Sequence, residues 1–304
     1  LSKPKKKKKQ QSGWTITGMI RITHWLPGWF IRSLSRMTAY ANFLLDWRTT
    51  KVMRKNFQMC YPDLDEAAIN VKLKNSIRHN SCLTKEFATA WLGGRSQIAN
   101  MFDQVEGSAL IDNILDEKKP LIMAVPHIGN WEFFWHWLQF NYRIIGMYQP
   151  AKYYGVEKLV LDARQRFGGQ VFPTDTKGIM NLFRALKQGK IMMILPDQVP
   201  RMGAGIYSPL FGHQAYTMTL LHKMLNKTGA EMLFGCCLRN SNQSGFNVHI
   251  EAPSFEIRNR NVEDFNADMN RQLESIINRW PNQYQWTYKR FKRQPEGNDP
   301  YSFK

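Results

Sequence analysis

Leu121–Val125 is an apolar run that ends at Pro126-His127, and the next five residues, Ile128-Gly129-Asn130-Trp131-Glu132, change character completely. A short apolar run closed by a breaker reads as a buried strand. Proline ends the hydrogen-bonding ladder. Gly129 supplies a turn, Asn130 is a favoured N-cap, and Glu132 falls in the first turn of a helix, where the helix dipole favours a carboxylate. The pattern therefore puts a histidine at the mouth of a sheet with a helix starting beside it. On one continuous helix His127 and Glu132 would splay apart. A loop histidine and a first-turn glutamate can instead face each other, with Glu132 fixing the imidazole tautomer and the other ring nitrogen taking a proton from a hydroxyl. The plainer alternative is a histidine buried at a strand end beside an unrelated glutamate.

The rest of the chain supports a sheet around that strand. Strands are expected at 121–126, 143–148, 169–173, 190–195, 231–238 and 246–251, with helices at 130–141, 155–167, 176–188, 214–228 and 261–279. Alternation of this kind predicts an α/β fold, a layered mixed sheet flanked by helices. Residues 31–104 read as a helical region packed on the core, and 105–304 as the α/β core itself. No internal repeat is visible. The four cysteines, Cys60, Cys82, Cys236 and Cys237, lack metal-ligand spacing and read as reduced core residues.

Residues 1–30 differ in composition. Six lysines lie between positions 3 and 9, and they leave +12 of the net charge of +18 on the remainder (36 basic against 24 acidic side chains). A basic body implies an anionic partner. Trp14–Phe30 is aromatic and aliphatic but is interrupted by Arg21, His24, Pro27 and Gly28. It is shorter than the roughly 20 clean apolar residues of a spanning helix. A signal peptide is not expected, because no small-residue cleavage pattern follows. Tryptophans beside a polybasic run point to an anchor on an anionic membrane surface. A chain beginning at Leu1 reads as trimmed.

Other constellations add candidates. Arg164 and Arg166 flank the apolar stripe of helix 155–167; each is either a side chain covering a packed face or a fork for a phosphate or developing oxyanion. Asp197 and Gln198 follow strand 190–195 at its carboxyl end, where α/β sites are built. Their alternative is a cap or turn. Loop 199–213 is either a lid or a plain connection. There is no P-loop, dinucleotide fingerprint, G-x-S-x-G elbow or H-E-x-x-H. No metal site and no cofactor is expected.

These motifs resemble a known family. P-H-I-G-N-W-E (126–132) is similar to the His-x4-acid block of glycerolipid-type acyltransferases. Glutamate at position 132 points to the late, secondary acyltransferases of lipid A. The resemblance continues in V-M-R-K-N-F (52–57), C-Y-P-D-L (60–64), D-A-R-Q-R-F (162–167), L-K-Q-G-K-I-M-M-I-L-P-D-Q (186–198), S-P-L-F-G (208–212) and P-N-Q-Y-Q-W-T-Y-K-R-F-K-R-Q-P-E-G (281–297). The chain departs from the family pattern at 199–205 and at Leu210, which bears on acyl-chain choice.

The resemblance implies transfer of an acyl chain from an acyl carrier protein thioester to a hydroxyl of a lipid A precursor, without a covalent intermediate. His127 and Glu132 would be catalytic. Arg164, Arg166, Asp197, Gln198 and Asn130 would bind substrate or the oxyanion, with Arg164 favoured over Arg166. It also implies a place on the cytoplasmic face of the inner membrane, anchored by the N-terminal segment. Alternatives are another glycolipid or glycerophospholipid acceptor, or a thioesterase. A basic nucleic-acid-binding module is the different-class alternative. It would interleave aromatics with basic residues, and only Tyr284–Lys292 does so. No nucleic-acid partner is expected.

Overall fold

Side chains alternate along the central strands, and each strand feeds two cores at once. Ile122 and Ala124 join one buried cluster, while Leu121, Met123 and Val125 join another. Met192 and Ile194 divide from Ile191 and Met193 in the same way. A strand buried on both faces needs helices above and below, which is the layered arrangement of α/β proteins. The computed structural model describes residues 13–242 and 244–303. The polybasic run at positions 3–9 lies outside the described residues.

The chain begins with helices α1 (Trp14–Trp25), α2 (Gly28–Leu44), α3 (Arg48–Cys60), α4 (Glu66–Leu92) and the short α5 (Arg95–Ala99). The α/β portion follows as β1 (Phe102–Glu106), α6 (Ser108–Asp116), β2 (Leu121–Ala124), α7 (Trp131–Asn141) and β3 (Ile144–Tyr148). It continues through α8 (Tyr154–Gln165), β4 (Gln170–Pro173), α9 (Thr176–Lys187), β5 (Ile191–Ile194), β6 (Gly205–Leu210) and β7 (His213–Met218). It ends with α10 (Leu220–Thr228), β8 (Glu231–Arg239), β9 (Phe246–Glu251) and α11 (Val262–Arg279). Seven strands form one mixed sheet in the order β1-β9-β8-β2-β5-β3-β4, and β6-β7 form a separate hairpin. Within the large sheet only β8 and β9 pair antiparallel. All four cysteines are free and buried.

Two expectations about the α/β portion need correction. Residues 213–218 are a strand, and the helix expected over 214–228 starts only at Leu220. The cause is the turn at Phe211-Gly212, where both residues have positive φ, 49° and 72°. Positive φ at both central positions of a two-residue loop reverses the chain into a hairpin, with Leu210 opposite His213. The sheet also gains β1 at the edge, followed by α6, neither of which was expected.

The inner-membrane anchor is corrected as well. Among the described residues no helix is long and apolar enough to cross a membrane. α1 has 12 residues, about 18 Å of helix against a hydrocarbon core of roughly 30 Å. Leu26 turns extended ahead of Pro27, and a second helix follows. α1 is instead tied to the protein: Lys85 Nζ of α4 donates to the carbonyls of Thr23, His24 and Leu26 at 3.1, 2.6 and 2.9 Å.

α7 packs on α4 through His136, which is fully buried. Its Nε2–H donates to the Ala90 carbonyl at 2.7 Å, and its Nδ1 accepts from Gln139 at 2.6 Å. Both ring nitrogens are used by the neutral form. Burial pushes this imidazole down to about 4. An unfolded histidine takes a proton near pH 6.5, so between those values the unfolded chain binds the extra proton and acidification favours unfolding. One such group contributes a slope of up to about 1.4 kcal/mol per pH unit. Unfolding curves of His136→Gln are expected to lose that part of the acid sensitivity between about pH 6.5 and 4. Equal slopes in variant and wild type would contradict this.

Candidate functional site

β2 and β5 are adjacent and parallel, so their carboxyl ends open at the same edge of the sheet. Pro126 and Pro196 stop further pairing just beyond the two strands. The residues that follow, His127 and Asp197, therefore leave the sheet side by side. Asp197 Oδ1 lies 2.7 Å from His127 Nδ1, and Asp197 Oδ2 accepts from the His127 backbone N–H at 2.8 Å. The carboxylate holds ring and main chain together. Burial alone would push the Asp197 carboxyl up, but His127 and these hydrogen bonds outweigh it and hold the group below its ordinary range. With Nδ1–H directed at Asp197, Nε2 carries the lone pair, which accepts from the Gln198 side-chain amide at 3.0 Å. The Trp131 ring packs edge-on against the imidazole, 4.6 Å between centroids.

Glu132 does not orient His127. It is buried and takes a two-pronged ion pair from Arg164 of α8, with Nε–Oε2 at 3.1 Å and Nη2–Oε1 at 2.5 Å. Burial would raise the Glu132 carboxyl, yet the guanidinium prevails and lowers it, while Glu132 in turn raises Arg164. The Arg164 backbone is held too, its carbonyl accepting from the Trp135 indole N–H at 2.9 Å. The expected His–Glu pair is thus replaced by two pairs, His127–Asp197 and Glu132–Arg164, that face one cavity.

Arg166 and Asn130 are elsewhere. Arg166 donates to the Ala90 carbonyl at 2.8 Å and lies over the Phe167 ring, away from the cavity. Asn130 caps α7, its Oδ1 accepting from the N–H groups of Glu132 and Phe133. Asn130 Nδ2 donates to Glu86 at 2.9 Å, and Glu86 is gripped by Arg239 at 2.5 and 2.7 Å. Arg239 also donates to the Gly129 carbonyl at 3.2 Å. This buried support beneath the His127 turn was missed in the sequence, where Glu86 and Arg239 stand 153 residues apart without a shared motif. Gly129 is required by the turn. Its φ is +61°, and a Cβ there would lie 1.9 Å from the Cys237 carbonyl oxygen.

The cavity measures about 600 Å³, within the range of small-molecule sites. His127, Glu132, Arg164 and Gln198 line it together with Glu157, Thr174 and Arg201, and residues such as Val160, Leu161, Ile179, Met193 and Met218 make most of the wall apolar. Among the described residues, those lining it include no serine or cysteine. Arg201, Pro200 and Ala204 bring the 199–204 loop to its wall. The arrangement offers a histidine whose Nε2 lone pair is covered only by the Gln198 amide, a fixed cation 32 residues from its carboxylate partner in sequence, and a slot for a hydrocarbon chain.

Residues 3–293 match the sequence model of the family described as bacterial lipid A biosynthesis acyltransferase. Among curated proteins the chain is 24% identical over 251 residues to a lipid A biosynthesis lauroyltransferase of Escherichia coli (strain K12), covering 82% of this chain and 81% of that protein. It is 24% identical over 256 residues to a lipid A biosynthesis palmitoleoyltransferase of the same organism, with the same two coverages. It is 24% identical over 255 residues to a lipid A biosynthesis acyltransferase of Haemophilus influenzae, covering 83% of this chain and 80% of that protein.

The buried ion pair carries a stability prediction. Removing one partner of such a pair strands the other charge and costs about 3–5 kcal/mol. Glu132→Ala is expected to lose that much in denaturant unfolding. Adding Arg164→Leu should recover a large part of it, because the stranded cation is gone. Simple additivity of the two losses would show that they are uncoupled.

Proposed function

The chain belongs to the bacterial lipid A biosynthesis acyltransferase family, and on that premise we propose that it moves a fatty acyl chain from an acyl carrier protein thioester to a hydroxyl on the acyl chains of a lipid A precursor. The observation that carries this reading is His127, with Nδ1 engaged by buried Asp197 and Nε2 at the wall of a mostly apolar cavity.

A secondary hydroxyl is a weak nucleophile until a base takes its proton. The substrate hydroxyl displaces Gln198 from His127 Nε2 and gives up its proton there as oxygen attacks the thioester carbonyl. Asp197 steadies the imidazolium that forms. The C–O bond closes and the carbonyl oxygen becomes an oxyanion. Arg164, pinned by Glu132, presents a cation to that charge or to a substrate phosphate. Two of its nitrogens are occupied by Glu132, leaving the third for the ligand. Collapse of the intermediate breaks the C–S bond, and the imidazolium returns its proton to the departing thiolate. Among the described residues, serine and cysteine are missing from the lining, which supports direct transfer over an acyl-enzyme. The acyl chain occupies the apolar part of the cavity. An acidic carrier protein and an anionic acceptor both suit a body of net charge +12 outside the lysine run.

The test is mass spectrometry of the acylated acceptor after incubation of the full chain with an acyl carrier protein thioester and a lipid A precursor. His127→Ala is expected to lose at least about a hundredfold in turnover, the lower end of general acid–base effects. Asp197→Asn should lose a comparable factor, because an amide no longer enforces the Nδ1–H tautomer. Retention of more than about a tenth of wild-type turnover by His127→Ala would remove the base assignment.

A further inference from the structure

We propose that the segment 283–293 positions the base from outside the sheet, with Tyr288 as its principal positioning residue. This rests on the reading of His127 as the base. The two loops that carry His127 and Asp197 are 70 residues apart in sequence, and this one segment bonds to both. On the His127 side, the Gln283 carbonyl accepts from the Gly129 N–H at 3.0 Å, and the Gln285 N–H donates to the His127 carbonyl at 2.9 Å. Tyr284 forms a bridge with Ile128 between these two bonds. On the Asp197 side, the Tyr288 hydroxyl accepts from the Val199 N–H at 3.0 Å, and Arg293 donates to the Pro200 carbonyl at 2.6 Å.

Val199 directly follows Gln198, whose amide meets His127 Nε2. The Tyr288 hydroxyl therefore fixes the backbone that sets both neighbours of the imidazole, Asp197 at Nδ1 and Gln198 at Nε2. The segment is itself secured at several points. Asn56 Nδ2 donates to the carbonyls of Trp286 and Tyr288 at 2.7 and 2.9 Å. Tyr301 donates to Asn56 at 2.5 Å and accepts from the Phe291 N–H at 3.1 Å. Buried Arg290 reaches the Tyr216 carbonyl and the Thr217 hydroxyl, both at 2.9 Å. Lys292 Nζ lies 3.3 Å from the Tyr288 hydroxyl and above its ring. A loop held from a secured segment keeps the base and its orienter in register between turnovers, at the tolerance that proton transfer demands.

Tyr288→Phe keeps the ring and removes the acceptor for Val199, together with the exposed contact from Lys292. In the full chain it is expected to lower kcat roughly threefold to tenfold, the weight of one net hydrogen bond. The melting temperature and the KM for the thioester should stay unchanged. In a Gln198→Ala background the same substitution should cost less, since one of the two groups it positions is gone. Tyr207→Phe is the control. Its hydroxyl meets the Gln294 carbonyl at 3.0 Å, close to the segment but off the Asp197 loop, and kcat should not move. Arg293→Gln, which removes the Pro200 contact and the cation over the Tyr216 ring but leaves Tyr288 in place, gives a second measurement if Tyr288→Phe folds poorly.

Wild-type kcat in Tyr288→Phe and Arg293→Gln beside an inactive His127→Ala would overturn the positioning role and leave the base assignment standing. Equal losses from Tyr288→Phe in the wild-type and Gln198→Ala backgrounds would also overturn it, as a general structural effect. Activity retained by His127→Ala would remove the base reading itself.

Discussion

The Asp197 carboxylate is the fixed point of the site. It is buried, and its two oxygens meet the ring and the backbone of His127, with the Tyr284 hydroxyl as a further partner. A buried carboxylate is tolerated only when paired and hydrogen-bonded, so ionisation of Asp197 and placement of His127 are a single condition. Turning the imidazole would cost the buried carboxylate its partner at His127 Nδ1. That mutual constraint sets the tautomer and leaves Nε2 as the accessible lone pair. Glu132 and Arg164 repeat the logic a few ångströms along the cavity, with the arginine as the group held and the carboxylate as the holder.

The topology makes this pairing available. β2 stands between β5 and β8, and the chain passes through β3 and β4 before it returns to lay β5 beside β2. Crevices form at the carboxyl ends of strands where the order of a sheet switches direction. His127 and Asp197 come from the two strands that meet at that switch. Their prolines end both ladders at the same level, so the two loops emerge together with little irregular chain between strand and functional group.

Local chemistry was legible and long-range pairing was not. The turn at 127–132 could be read because each part of it, the breaking proline, the glycine and the Asn130 cap, acts on its immediate neighbours. The same closeness misled the assignment of Glu132. Five residues separate it from His127 in sequence, but the start of α7 turns its carboxylate toward α8. Asp197 was marked as a site residue from its strand end, yet its partner could not be named, because only the sheet order brings positions 127 and 197 together. The support from Glu86 and Arg239 left no signal, since a buried ion pair joining α4 to β8 has no period or spacing. The hairpin at 205–218 was lost for a different reason. Its second strand runs almost directly into α10, and the apolar positions beyond Met218 extended a helical pattern backward to Gln214.

The central position of β2 and β5 also has a consequence for how activity is lost. Strands in the middle of a sheet, sealed on both faces, exchange their amide protons only when the whole domain opens, whereas edges and terminal helices open locally at much lower cost. His127 and Asp197 each sit three residues beyond the two best-protected ladders. Heat or denaturant therefore opens the β1 edge before it reaches the ladders that place His127 and Asp197. Loosening at β1, three strands from β2, goes unregistered in turnover, whereas loosening at β4 or in 283–293 reaches the cavity wall.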